Sequence, residues 1–236
     1  MESSTSITAL SDMVRRFEVP TRLAHWLLAA PFLLLLLTGL TNFEPGLKAT
    51  QVGGVRVYAW LHVVIGFAAL GAAILAALQL ARRSARRDLE ALADVSVDDY
   101  LWLQHEAITL AGGRSTGPAV GKFNAGQKVN ALVSAVATVA LLGTGLILGI
   151  NYTSKTVFAA SFVEQVFPWH TAIALLFIPV LLGHLYLAML NPSTRESLRG
   201  ITRGVVRREW ARHHHPAWLA SLEAEEPDVE VPSADA

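Results

Sequence analysis

The feature that most constrains this 236-residue chain is where its charges are missing. Four stretches run for about 20 residues or more without Asp, Glu, Lys or Arg, the length a helix needs to cross roughly 30 Å of hydrocarbon. They are Leu23–Phe43, Val57–Ala81, a run that begins at Val129, and Gln165–Thr194. Backbone polar groups in lipid must be satisfied within the chain, so such stretches predict helices. The expected fold is an all-α membrane protein, a four-transmembrane-helix bundle with spans near 23–43, 57–81, 127–150 and 167–191. The first stretch follows a charged lead and has no small-residue cleavage site, so it reads as a span and not as a signal peptide. The chain has no cysteine. That excludes disulfides, a thiolate nucleophile, Cys-ligated iron–sulfur clusters and covalently attached c-type haem.

Nineteen basic and nineteen acidic residues cancel, and no nucleic-acid partner is expected, but the charges are unevenly spread. Sixteen of the nineteen basic residues fall before the first span, between the second and third, or after the fourth, leaving Lys48, Arg56 and Lys155 for the two other loops. Positive residues stay preferentially in the cytoplasm. Both termini are therefore expected to be cytoplasmic. Trp26, Trp60 and Trp169 sit at span ends, as an interfacial aromatic belt requires.

The expected organisation is a cytoplasmic N-terminal segment (1–21), the four-helix domain (22–192), a basic amphipathic segment (193–215) and an acidic flexible tail (216–236). Within the long cytoplasmic connection, Val97–Leu110 predicts a surface helix with Ser96 as N-cap and Asp98 and Asp99 near the positive end of its dipole. After Pro192 and Ser193, Leu198, Ile201 and Val205 would share the apolar face of a helix lying along the membrane surface. The tail carries Glu223, Glu225, Glu226, Asp228, Glu230 and Asp235. Thr-Gly-Leu occurs at 38–40 and again at 144–146, too short to establish a repeat.

Four of the eight histidines, His25, His62, His170 and His184, lie inside the spans, where an ionisable side chain is costly unless it has a function or a partner. With both termini inside, His25 and His184 lie near the cytoplasmic surface and His62 and His170 near the outer one. His170 and His184 are 14 residues apart, which places them on one helix face, about 40° short of four full turns and roughly 21 Å apart. Helices one and two offer a partner at each depth. Two neutral imidazoles facing each other across a bundle can ligate a haem iron on both sides, leaving no open position for substrate and so supporting electron transfer only. Two haem b groups are expected, held by His62–His170 and His25–His184. A zinc or proton-relay site would need neither two layers nor spans empty of Asp and Glu.

A flat macrocycle between helices needs small neighbours. Gly66 lies one turn beyond His62, Gly183 adjoins His184, and Gly39, Gly71, Gly143, Gly145 and Gly149 are spread through the spans. Gly145 and Gly149 also read as a GxxxG helix-packing surface. Arg22 and Arg56, near His25 and His62, are candidates for haem propionates. His105 is expected to be solvated, and the adjacent His213, His214 and His215 to bind no metal.

Several of these motifs together resemble the cytochrome b (gamma) subunit of membrane-bound formate dehydrogenase, a di-haem cytochrome b. They are Arg22-Leu-Ala-His25-Trp26 with an apolar run ending Thr38-Gly39-Leu40, Leu61-His62, the Phe123-Asn124-Ala125-Gly126-Gln127-Lys128 block, Trp169-His170 and Gly183-His184. The resemblance covers roughly residues 17–218, and the Asn-Ala-Gly-Gln-Lys block is its most specific part. It implies partners in an iron–sulfur (beta) subunit and a molybdenum or tungsten catalytic (alpha) subunit, both usually outside the cytoplasm. It also implies that His62 and His170 hold the outer haem, which receives electrons, and that His25 and His184 hold the inner haem beside a quinone site. Asn124, Gly126 and Gln127 would help build that pocket for menaquinone or ubiquinone, an amide donating to a quinone carbonyl and a glycine allowing close approach. The simpler reading of the block is an N-terminal cap on helix three. Formate oxidation itself is not expected on this chain. The same helices would serve a hydrogenase, a thiosulfate reductase or another quinone-linked oxidoreductase, and a non-redox membrane anchor or small transporter is the reading of another class.

Overall fold

The computed structural model describes residues 12–154 and 157–225. Residues 1–11 of the N-terminal segment, Lys155, and Glu226, Asp228, Glu230 and Asp235 of the tail lie outside the described residues. Four long helices dominate: α1 (Val19–Leu40), α3 (Val57–Leu80), α6 (Ala125–Ser154) and α7 (Ala160–Leu185). With their adjoining turns they form apolar stretches of 25, 24, 30 and 31 residues, each long enough to cross a membrane. α6 and α7 run further toward their shared loop than the 150 and 167 boundaries expected. α7 passes into a wide helical turn over Tyr186–Leu190.

α1 packs along α3, α6 along α7, and α3 against α6, so two helical hairpins meet chiefly through α3 and α6. The positions buried between them are mostly small, among them Ala24, Ala69, Ala76 and Ala137, which let backbones approach closely. Large apolar side chains point the other way: Leu37, Leu78, Val139 and Leu176 are each at least 60% exposed. In water such a surface would be an aggregation liability, and in a bilayer it is the lipid face.

The ends of the bundle differ. At one, a 3₁₀ turn (Thr41–Phe43), the short α2 (Pro45–Ala49) and a hairpin of β2 (Gln51–Val52) and β3 (Val55–Arg56) join α1 to α3. Gly53 and Gly54 both take positive φ in its two-residue turn. At the other end the chain builds a folded cap. β1 (Met13–Arg15) pairs antiparallel with β4 (Val205–Arg207), and the Arg16 and Phe17 amides both donate to the Gly204 carbonyl. Val14, Val206, Ala211, Trp218 and Leu219 form its core.

The connection from α3 to α6 folds onto the same end through α4 (Arg83–Ala93) and α5 (Val97–Leu110). α5 has the expected bounds, with Ser96 and Asp99 forming a reciprocal capping box. α4 carries Asp88, which is 4% exposed and accepts hydrogen bonds from Thr21 Oγ1 (2.6 Å) and from Lys122 Nζ. Lys128 reaches across to Asp99 (2.8 Å) and to the Asp94 carbonyl. Burial alone would raise the Asp99 carboxyl, but the bonds from Lys128 and Ser96 hold it below its ordinary range.

Two expectations are corrected in the cap. The amphipathic helix α8 (Glu196–Arg203) stops at Gly204, whose φ of +86° ends it in a left-handed cap. Val205 therefore leaves the helix and enters β4, beside the fully buried Val206, and does not share a face with Leu198 and Ile201. α9 (Arg208–His214) follows. Residues 216–225, expected to begin a flexible tail, form α10 (Pro216–Glu225). Its Trp218 and Leu219 are 7% and 3% exposed, so apolar residues ahead of the acidic ones dock it onto the cap, and Glu223 pairs with Arg208 at 2.7 Å.

Candidate functional site

The four span histidines come together as two pairs. His62, at the start of α3, faces His170 on α7 with ring centroids 6.2 Å apart and planes at 90°. His25, early in α1, faces His184 late in α7 at 6.4 Å and 45°. Metal–nitrogen bonds of about 2 Å place the centroids of two imidazoles on opposite sides of one ion roughly 6 Å apart. Each pair is thus spaced for one metal between its rings. Among the described residues no third His, Asp or Glu joins either pair to make a three-residue metal site. A purely axial donor set suits a planar ligand that supplies the remaining coordination itself. Phe32 and Phe177, in edge contact at 5.2 Å, lie along α1 and α7 between the two pairs.

The pair His62–His170 is held by two matching devices. Near the end of α1, Thr38 Oγ1 lies 2.9 Å from His62 Nδ1, and on α6, Thr144 Oγ1 lies 2.8 Å from His170 Nδ1. The following residue is a glycine in both cases. A Cβ on Gly39 would stand 3.3 Å from His62 Cε1, and one on Gly145 would stand 3.3 Å from His170 Cε1. The Thr-Gly-Leu echo at 38–40 and 144–146 is therefore a structural repeat: one helix of each hairpin presents a hydroxyl and a gap to the imidazole of the next. Sequence reasoning passed over both threonines, although the echo was their signal. The GxxxG pair divides its work, since a Cβ on Gly149 would meet Phe67 and Val63 of α3 and not a histidine. Leaving aside its chain neighbours, a Cβ on Gly71, Gly143 or Gly183 would meet nothing within 4 Å among the described residues, and one on Gly66 would meet only Leu35 at 4.0 Å.

At the other pair, His25 Nδ1 is buried without a hydrogen-bond partner among the described residues, and Trp26 stands edge-on at 5.1 Å. Arg22, three residues earlier, donates from Nη2 to the Thr202 carbonyl at the end of α8, while its Nε is buried without a partner among the described residues. Arg56 is exposed at the end of the β2–β3 hairpin. The Asn124 block opens α6 as a reciprocal capping box: Gln127 N donates to Asn124 Oδ1 (2.8 Å) and Asn124 N donates to Gln127 Oε1 (3.0 Å). The box uses the oxygen of each amide and neither NH2 group. Gly126 leaves room for Trp102, whose ring a Cβ would meet at 3.3 Å.

The remaining histidines serve the cap and its connection. His105 Nδ1 lies 2.6 Å from Ser115 Oγ, His214 stacks on Trp210, and His215, 2% exposed, donates from Nδ1 to the Gly121 carbonyl (2.8 Å). Burial, reinforced by the Arg16 charge, lowers His215 to about 3. Arg16, also 2% exposed, lies among Phe17, Phe123, Trp210 and Trp218, and burial lowers it to about 9 despite Asp88.

Comparison with known proteins gives the chain a family. The family described as prokaryotic cytochrome b561 matches residues 16–204. The chain is 30% identical over 222 residues to the cytochrome b556(Fdn) subunit of the nitrate-inducible formate dehydrogenase of Escherichia coli K12, covering 92% of this chain and 94% of that protein. It is 29% identical over 207 residues to the formate dehydrogenase cytochrome b556 subunit of Haemophilus influenzae, covering 86% and 81%. To the cytochrome b556(fdo) subunit of Escherichia coli K12 it is 23% identical over 213 residues, covering 89% and 94%.

Proposed function

Since the chain belongs to the prokaryotic cytochrome b561 family, a family of integral membrane haem proteins, we propose that it is the membrane-anchoring, di-haem cytochrome b subunit of a formate dehydrogenase. In this role it passes electrons from an iron–sulfur subunit across the membrane to quinone. The observation that carries the reading is the pair of opposed imidazoles at each end of the bundle, at 6.2 and 6.4 Å. A haem b held by such a pair would supply one-electron transfer, with no coordination position left for substrate.

This chain's own residues orient, insulate and bind. His62 and His170 serve the outer site, fixed by Thr38 and Thr144, while His25 and His184 serve the inner one. Gly39 and Gly145 keep the outer rings free of crowding, and the Phe32–Phe177 contact helps exclude water between the layers. Arg22, whose buried Nε has no partner among the described residues, would meet an anionic propionate near His25, and Arg56 would do the same at the outer surface. At the inner end, the NH2 groups of Asn124 and Gln127 remain as donors for a quinone carbonyl, and Gly126 sets how close the block lies to Trp102.

The inner side is the cytoplasm. The cap, the α4–α5 connection and the segment after α7 gather at one end of the bundle, and these regions hold sixteen of the nineteen basic residues. With both termini inside, the catalytic and iron–sulfur subunits dock at the end bearing β2 and β3, and the bacterial inner membrane is the site of assembly.

The test is spectroscopic. Purified protein reduced with dithionite is expected to show b-type bands with two haems per chain. His62→Ala and His170→Ala should each remove one haem, and His25→Ala and His184→Ala the other. Retention of both haems by all four variants would overturn the ligand assignment. Co-purification of an iron–sulfur and a molybdenum or tungsten subunit with formate:quinone activity separates this reading from a hydrogenase or thiosulfate reductase cytochrome.

A further inference from the structure

The two imidazole pairs are built differently, and the difference has a direction. Thr38 Oγ1 lies 2.8 Å from the Leu34 carbonyl four residues back, and Thr144 Oγ1 lies 2.7 Å from the Ala140 carbonyl. A hydroxyl has one proton. Spent on the backbone carbonyl, it leaves the oxygen lone pairs to accept from His62 Nδ1 and His170 Nδ1. Both rings are then held as the Nδ1–H tautomer, with Nε2 as the one nitrogen carrying a free lone pair. Oxygens already donating elsewhere in a low-dielectric interior are the better acceptors. The inner pair has no such support: among the described residues neither imidazole meets a threonine, and His25 Nδ1 is buried without a partner.

Taking His62–His170 and His25–His184 as the ligands of the outer and inner haems, as proposed above, we infer that Thr38 and Thr144 are positioning residues that hold the outer haem at a lower reduction potential than the inner one. A hydrogen bond accepted from the distal ring nitrogen raises the basicity of the ligating nitrogen. A more basic ligand stabilises ferric over ferrous iron, and second-shell hydrogen bonding of this kind sets haem potential. Two such bonds on one haem and none matching on the other slope the electron path from the His62–His170 layer toward the His25–His184 layer. The same bonds fix the outer ring planes at 90°, whereas the inner planes stand at 45°. Axial planes set perpendicular give low-spin ferric haem a strongly anisotropic EPR signal, which marks the outer haem independently of any activity.

Potentiometric titration and EPR of the purified two-haem protein test this with Thr38→Val, Thr144→Val and the double variant, and with Thr38→Ser and Thr144→Ser. The valines should raise the midpoint of one haem, more so in the double variant, weaken the strongly anisotropic EPR signal and leave the other haem unchanged. The serines, which keep the hydroxyl, should retain the parent midpoints. Unchanged midpoints in the double valine variant, equal shifts of both haems, or serines behaving like valines would each overturn the inference. The histidine replacements keep the two readings apart: if His62→Ala and His170→Ala remove one haem while the valines change nothing, the ligand assignment stands and the threonine role falls.

Discussion

Gly143 and Gly145 lie two residues apart on α6 and meet different surroundings, which makes them a controlled test of the His170 cradle. A Cβ at Gly143 would find nothing within 4 Å, whereas one at Gly145 would stand 3.3 Å from His170 Cε1. Carbon atoms in good contact sit about 3.5–4.0 Å apart, so Gly145→Ala asks the ring to yield by roughly 0.4 Å. The ring has little freedom to do so, because the adjacent Thr144 holds Nδ1 at 2.8 Å. Yielding directly away would stretch that bond to about 3.2 Å, the long end of the normal range. Overpacking of this kind costs about 1–3 kcal/mol. Replacing a helical glycine by alanine returns up to about 1 kcal/mol at either position and cancels in the comparison. The two variants should therefore differ by about 1–3 kcal/mol at the His170 site, or roughly 5- to 150-fold in haem retention at 1.4 kcal/mol per tenfold. Haem per chain after dilution in detergent, read as the pyridine haemochrome beside the melting curve, measures this. If Gly145→Ala retains as much haem as Gly143→Ala and melts like it, His170 has no such cradle.

Three further outcomes follow from the cap. Asp88→Asn removes the carboxylate that accepts from Thr21 and Lys122; with Asp88 at 6% and Lys122 at 24% side-chain exposure, the loss should be about 2–4 kcal/mol in thermal unfolding, and a change below about 1 kcal/mol would contradict it. Gly204→Ala forces a side chain into φ +86° at about 1–2 kcal/mol and sets its Cβ 2.8 Å from the Phe17 carbonyl, so the Arg16 and Phe17 amides should exchange hydrogen faster. His215 is lowered to about 3 in the fold and reverts to about 6.5 when unfolded, so the unfolded chain takes up the proton first. Cap stability should be level above about pH 6.5 and fall by up to about 1.4 kcal/mol per pH unit below it. The fluorescence of Trp210 and Trp218 during unfolding should show that slope, and His215→Asn should flatten it.

The spans and the histidine pairing were legible because both obey simple periodicities. Absence of charge over a membrane thickness marks a helix whatever surrounds it, and 14 residues return His184 to the face of His170. α5 was legible for a similar reason, since Ser96 and Asp99 satisfy one another locally. The cap was hidden because its bonds join distant residues: β1 meets β4 across nearly the whole chain, and α10 is helical because Trp218 and Leu219 find a core there. The threonines were hidden for a different reason. Thr38 and Thr144 stand in apolar helices where such a residue ordinarily bonds its own backbone, and only the partner helix reveals the second contact.

The pairing of β1 with β4 also sets an order of events during synthesis. Arg15 leaves the ribosome about 190 residues before its partner Val205, a delay of about 10–40 s at 5–20 residues per second. Through that interval all four spans can enter the bilayer while the N-terminal strand stays unpaired. The last of the described strands then fastens the first, so the cap is a latch that cannot shut until β4 has emerged. A polypeptide truncated before Arg207 would carry all four span histidines and still leave this end of the bundle open, exposing Val14 and Arg16 to quality-control proteases.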